Sequence, residues 1–280
     1  MPELPEVEAI RRRLTAQLKG RVIRNAFVLK PQTVAFPKGD AFAQAVRGAM
    51  VEQLRRRGKF LLLDLNNGQT MVVHLRMTGR LLVTAHEDPP PPHTHLRFAL
   101  DDGRELRFVD MRRFGRFWLY DTDRADREAG MAKLGPEPFA PDVTAAYLQQ
   151  RLSRRRIAVK QALLDQTIVA GIGNIYADEI LYWAGIHPLA RVSELTAGQW
   201  QRLAEGIPLI LTKAIAFNEA AGYAEEYHSE AFGCVYGRRG EPCPRCGTPI
   251  ERTVIGGRSS HFCPHCQPAG ALSGAACRNL

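Results

Sequence analysis

Four cysteines near the end of the chain carry the most legible chemistry. Cys243-x-x-Cys246 is followed, after residues 247–262, by Cys263-x-x-Cys266. Two thiolate pairs at this spacing can close a tetrahedron around Zn²⁺, and PCPRCG and FCPHC each form a tight turn that directs two sulfurs inward. A segment this short buries too little apolar surface to fold alone, so a metal is the natural staple. Four thiolates leave no open position for water, and the one zinc is expected to be structural. His261 and His265 read as bystanders, and Cys234 and Cys277 have no partner at ligand spacing.

The other end of the chain, MPELPEVEAIRRRLTAQLKG, begins with Pro2 and Pro5 and with Glu3, Glu6 and Glu8. Proline fits a first helical turn, where its missing N–H is not needed, and carboxylates there favour the helix dipole. Val7, Ile10, Leu14 and Leu18 recur at helical spacing and Gly20 ends the run. A capped amphipathic helix therefore explains almost everything. One feature is left over: removing Met1 would make the secondary amine of Pro2 the chain terminus.

The charge balance asks for an acidic partner. With 38 Lys+Arg against 29 Asp+Glu, the 280-residue chain carries a formal charge of +9. Nucleic acid is the first partner such an excess suggests. The arginines also cluster in triplets, Arg11–Arg13, Arg55–Arg57 and Arg154–Arg156, a pattern favouring polyanion binding over three solvated faces. VAGIGNIY (Val169–Tyr176) lacks the third glycine and the βαβ setting of a dinucleotide site. It reads as a tight turn between helices, either plain or with N–H groups facing a phosphate; Lys160 and the arginines upstream favour the second. Gly256 and Gly257, between Arg252 and Arg258, could push an arginine at DNA. No run approaches membrane-span length and the charged N-terminus lacks a signal-peptide core, which makes a cytoplasmic location the expectation.

Elements must position these residues. Short apolar runs at Phe60–Leu65, Thr70–Leu75, Arg80–Thr84 and Arg116–Tyr120 predict strands. LRFAL and RELRFVD, joined through Asp101-Asp102-Gly103, predict a hairpin, and the proline run Glu87–His93 a loop. Residues 1–130 thus read as an antiparallel β-sandwich or barrel led by one helix. LGPEPFAPD falls in a linker over 131–144, helical patterning covers 145–231, and residues 232–280 hold the cysteines and a tail.

An amine-terminal helix, a β domain, a helical phosphate-gripping domain and a four-cysteine finger, in that order, resemble the formamidopyrimidine-DNA glycosylase family of base-excision repair enzymes. The likeness runs through PELPEVE, RRGKFLLLDL, HLRMTGRL, RRFGRF, LGPEP, LLDQTIVAGIGNIYADEILYWAGIHP, VYGRRGEPCPRCG and GRSSHFCPHCQ. PELPE in place of PEGPE resembles the purine-lesion branch more than the endonuclease VIII branch. The resemblance implies an α+β multidomain fold: a leading helix and β-sandwich, a helix–two-turns–helix domain and a β-hairpin zinc finger. It implies a bifunctional glycosylase/AP lyase that excises 8-oxoguanine and formamidopyrimidines from damaged double-stranded DNA, without a nucleotide cofactor or a membrane. A monomer is the default.

By the same resemblance Pro2 matches the nucleophile, Glu3 the acid/base carboxylate and Lys59 the catalytic lysine. Met77, Arg112 and Phe114 match the residues that fill the gap left by a flipped base. Met77 and Phe114 could equally be strand-core residues by their types. His74, Asn174 and Arg258 match phosphate clamps, and Lys160 a lysine near the damaged base. The chain departs from the family pattern at Arg76, where HLGMTG has glycine, and at Met111, where DPRRFG has proline. Its stretch from Phe217 to Arg238 is shorter than the family's lesion-capping loop and lacks the Gly-Gly-Thr-Thr signature, which leaves a shifted preference, toward oxidised pyrimidines, as an alternative. A catalytically silent DNA-binding zinc protein is the rival of another class.

Overall fold

The structure is a computed structural model, and it describes residues 2–221 and 232–269. The chain falls into two compact units, Met1–Ala132 and Lys133–Leu280.

The first unit opens with helix α1 (Leu4–Leu18), whose Leu4, Val7, Ile10, Leu14 and Leu18 form one buried stripe. Nine strands follow: β1 (Ile23–Val28), β2 (Val34–Phe36), β3 (Val51–Arg57), β4 (Phe60–Leu65), β5 (Gln69–His74), β6 (Gly79–Ala85), β7 (Thr94–Leu100), β8 (Arg104–Asp110) and β9 (Arg116–Asp121). Helix α2 (Asp40–Val46) precedes β3, and the single turn α3 (Thr122–Ala125) follows β9. One sheet has the order β1-β7-β8-β6 and the other β2-β9-β5-β4-β3. All pairings are antiparallel except that of the short β2 with β9. The sheets form a sandwich whose aromatic centre joins them: Phe117 of β9 meets Phe108 of β8 edge-on at 4.9 Å and lies 6.2 Å from Phe98 of β7. Burial of such rings supplies most of the stability of a small core.

The expected runs at Phe60–Leu65 and Arg116–Tyr120 are strands within one residue, and LRFAL pairs with RELRFVD as expected. The arginine triplets are the main correction. Arg55 grips Asp64 at 2.6 and 3.0 Å and Asp126 at 3.0 Å, while Arg11, Arg12 and Arg56 converge on Glu8. Much of that charge answers internal carboxylates, so clustering alone overstated the surface available to a polyanion.

The second unit is helical: α4 (Ala145–Leu152), α5 (Val159–Leu164), α6 (Asn174–Ala184) and α7 (Ala197–Ala220). Thr144 caps α4 through its hydroxyl, and Thr196 with Gln199 forms a capping box on α7. Trp200, Leu203, Ile207 and Leu211 of α7 pack on Ile180, Leu181 and Ala184 of α6. A hairpin of β10 (Glu251–Ile255) and β11 (Arg258–Phe262) follows, closed by Gly256 and Gly257 at φ +55° and +75°. That positive-φ pair is the tight hairpin turn glycine favours. Met1, most of the shortened loop before Val235 (residues 222–231) and Cys277 lie outside the described residues.

Candidate functional site

Pro2 and Glu3 are buried at the mouth of α1. Glu3 is the N-cap residue, and its N–H donates to the Glu6 carboxylate at 2.7 Å. Two residues on, Glu8 accepts from Arg11 and Arg12 of its own helix at 2.7 and 2.8 Å and from Arg56 Nε of β3 at 3.1 Å. Burial alone would push the Glu8 carboxyl up; the guanidiniums of Arg11, Arg12 and Arg56 overcome this and hold it at about 2. Arg56 also donates to the Gly58 carbonyl at 3.0 Å, inside the two-residue turn that carries half-buried Lys59 between β3 and β4. A hydrogen-bonded path therefore joins the helix of Pro2 and Glu3 to the turn of Lys59.

His74 ends β5, opposite Phe60 in the β4–β5 register, and lies edge-on to that ring at 4.6 Å. Burial first, then the charges of Arg76 and Lys59, lower the imidazole to about 3, so it is neutral in ordinary buffers. Its Nδ1 accepts from the Arg76 N–H at 3.0 Å, which places the ring proton on Nε2 as a donor.

Met77 and Phe114 are loop residues, 38% and 46% exposed, and not strand core. Met77 lies between β5 and β6; Arg112 and Phe114 lie between β8 and β9, with the Arg112 guanidinium over the Phe114 ring at 4.9 Å. Each loop holds one non-glycine residue at left-handed φ, Arg76 at +58° and Arg113 at +59°. Glycine is the residue such a backbone favours, which is the physical sense of Arg76 as a departure.

In the second unit Lys160, Asn174 and Arg258 are gathered around the hairpin. Lys160 is fully buried: its Nζ donates to Asp178 at 2.5 Å and to the carbonyls of Asn174 and Ser259 at 3.2 Å. Any influence it has on a ligand passes through the groups it holds. Asn174 begins α6 and donates to Ser259 Oγ at 3.3 Å, and its Oδ1 has no protein partner. Arg258 is exposed at the hairpin tip. Asp178 also accepts from Ser260 Oγ at 2.8 Å and the His261 N–H at 2.9 Å. The neighbouring Glu179 accepts from the N–H groups of Cys234, Val235 and Tyr236 at 2.8, 3.0 and 2.9 Å; burial pushes its carboxyl up against these bonds. The two acids of α6 were missed in the sequence, where only the turn before them carried a signal.

Cys243, Cys246, Cys263 and Cys266 bring their sulfurs within 4.8 Å of one another. Separations of 3.5 Å (Cys246–Cys263), 3.5 Å (Cys246–Cys266) and 3.9 Å (Cys243–Cys266) match the edge of about 3.8 Å expected for a tetrahedron of ~2.3 Å Zn–S bonds. They are far beyond the ~2.05 Å of a disulfide. The cysteines are positioned to bind one zinc. Tyr182 of α6 sets its hydroxyl 3.2 Å from Cys243 Sγ, and Gln267 bridges the Cys263 N–H (3.0 Å) and the Ile186 carbonyl (2.9 Å), so the metal module is seated on the helical body.

Family models match along the chain in the order of these elements. The formamidopyrimidine-DNA glycosylase N-terminal domain matches residues 1–117, its H2TH domain residues 134–224, and the zinc finger found in FPG and IleRS residues 240–269. The chain belongs to the formamidopyrimidine-DNA glycosylase family. It is 46% identical to the formamidopyrimidine-DNA glycosylase of a Synechococcus strain, over 96% of this chain and 99% of that one. With that of Herpetosiphon aurantiacus it shares 47% identity, over 95% and 100%. Among solved structures, the Lactococcus lactis glycosylase bound non-covalently to DNA with an AP site superposes with a TM-score of 0.88 at 33% identity, covering 96% of this chain and all of that one. The same enzyme with DNA containing FAPY-dG gives 0.87 at 32%, covering 95% and 100%.

Proposed function

We propose that this chain excises oxidised purines from damaged duplex DNA as a glycosylase with AP lyase activity, through Pro2 as nucleophile. Family membership over nearly the whole chain gives the reaction class. The observation that carries the residue assignment is the buried start of α1, tied through Glu8 and Arg56 to the turn of Lys59.

The chemistry requires Met1 to be removed. An α-amine titrates near about 8, well below a lysine, so a useful fraction is unprotonated near neutral pH. The Pro2 nitrogen attacks C1′ of the damaged nucleotide and the C1′–base bond breaks, the electron pair leaving with the base, which takes up the amine proton. The C1′–O4′ bond then opens, O4′ takes up a proton, and the iminium that forms acidifies the C2′ proton; its loss drives β-elimination of the 3′ phosphate, and δ-elimination then releases the 5′ phosphate. Glu3 moves protons at the sugar or leaving base. Lys59 holds positive charge at the lesion's phosphate and sugar.

The base must first leave the stack. Met77, Arg112 and Phe114 suit the vacated space: a flexible apolar chain, a guanidinium able to pair with the orphaned base, and an aromatic wedge. His74, through its Nε2 proton, is assigned to a backbone phosphate, as are Asn174 and Arg258; Lys160 supports the latter two from beneath. Zinc supplies a rigid clamp for the hairpin and takes no part in bond breaking. A cytoplasmic location beside the nucleoid follows from this substrate, and the domain limits proposed are 1–130, a linker over 131–144, 145–231 and 232–280.

Lesion preference is tested with matched duplexes bearing 8-oxoguanine, a formamidopyrimidine or dihydrothymine. Excision rates favouring the first two are expected, and a preference for dihydrothymine would overturn the purine assignment.

A further inference from the structure

Met77 stands on one loop and Arg112 and Phe114 on another. Two independent loops entering a base stack would each lose conformational entropy at that moment. Here they are not independent. Asp110, the last residue of β8, is fully buried and sits opposite Gly79, the first residue of β6. Its carboxylate accepts from the Thr78 hydroxyl, from the Gly115 N–H at 2.8 Å and from the Arg112 N–H at 3.3 Å. Thr78 Oγ1 accepts in turn from the Arg112 N–H at 3.1 Å. The Asp110 carbonyl receives His95 Nε2 at 2.8 Å and the Arg113 N–H at 3.3 Å.

The neighbouring backbone is closely seated. A Cβ on Gly115 would fall 2.3 Å from the Phe108 ring, and one on Gly79 would fall 2.4 Å from the Leu75 carbonyl. Between these fixed ends lie Arg76 and Arg113, the left-handed residues beside Met77, Arg112 and Phe114. Strained φ values of this kind persist where the surroundings over-determine the backbone, and the Asp110 carboxylate with the Thr78 hydroxyl is what does so.

We propose that Asp110 and Thr78 are positioning residues, which lock the Met77 loop to the Arg112–Phe114 loop so that the three-part wedge is set before DNA arrives. This rests on the wedge assignment made above. The lock matters only where a stack has to be filled, so its loss falls on duplex and spares single strands.

The test uses the zinc-loaded full chain under single turnover, with one preformed abasic site placed either in a duplex or in a single-stranded oligonucleotide. Thr78→Val removes the hydroxyl at nearly constant shape, and Thr78→Ser restores it. Strand cleavage by Thr78→Val is expected to fall about tenfold on the duplex, the scale of one lost buried hydrogen bond. Cleavage of the single strand should stay within about twofold, and Thr78→Ser should recover the duplex rate. Asp110→Asn, a second variant of nearly the same size, should show the same duplex-only loss. Equal losses on both substrates, an unchanged duplex rate, or a serine variant no better than valine would overturn the proposal. Wild-type protein inactive on both substrates would overturn the proposed function itself, and the inference with it.

Discussion

Glu8 of α1 and Arg56 of β3 meet at 3.1 Å, both largely buried, and Arg56 continues to the carbonyl of Gly58 in the Lys59 turn. The ion pair joins helix α1, which follows Pro2 and Glu3, to the hairpin that carries Lys59. Its energetics follow from the Glu8 carboxyl, held at about 2 against 4.5 for an unperturbed glutamate. A depressed carboxyl stabilises the fold fully above its unfolded value, and the contribution fades as pH falls from about 5 toward 2.

Glu8→Gln should therefore lower the unfolding free energy at pH 7 by roughly 3 kcal/mol at most. The gap from wild type should close as urea melts are moved toward pH 2. A gap that is the same at pH 7 and pH 3 would show that the pair does not titrate as described.

Arg76→Gly should stabilise the protein by about 1 kcal/mol, since glycine adopts φ +58° without a Cβ penalty. The same change removes an exposed cation. Duplex affinity should therefore fall, and the slope of log K against log salt should drop by about 0.9 if Arg76 meets a phosphate. A lowered melting temperature would contradict the strain argument, and an unchanged slope the contact.

Lys160→Met leaves Asp178 buried without its cation and should cost about 3–5 kcal/mol. The double change Lys160→Met with Asp178→Leu should recover a good part of that loss, because no lone charge remains. Chemical denaturation of the three proteins measures this. A double variant less stable than Lys160→Met would mean that the Ser260 and His261 bonds to Asp178 outweigh its pairing with Lys160.

Cys246→Ser removes one of four thiolates and should release zinc, read by metal analysis of the purified protein. Duplex binding should weaken with it, since Arg258 and Ser259 sit on the hairpin that the metal clamps. Full binding by a metal-free sample would defeat the structural role.

The parts of the fold visible in the sequence were those with an unmixed pattern. FLLLDL is buried on both faces and RFWLY alternates buried with half-buried residues, both patterns that a strand accommodates, and they were placed within a residue. VEQLRRR was not seen as β3, because its arginines look solvent-directed until Asp64, Asp126 and Glu8 are brought to them. The seven-residue α2 is too short for a helical period to stand out. The site divides the same way. The cysteines are legible by type and spacing and Pro2 is proposed through the resemblance, whereas Thr78 and Asp110 lie 32 residues apart, Glu8 and Arg56 48, and Lys160 and Asp178 18. Pairings at those separations are products of the fold and leave no local trace.

The central claim is that the Pro2 amine is the nucleophile. Native protein, with the state of Met1 fixed by intact mass, is mixed with an 8-oxoguanine duplex and borohydride, and the trapped adduct is digested and its peptide sequenced. The account predicts that Met1 is absent and that the DNA is attached to the peptide beginning at Pro2. Retained Met1, or an adduct mapped to Lys59 or another lysine, would contradict it.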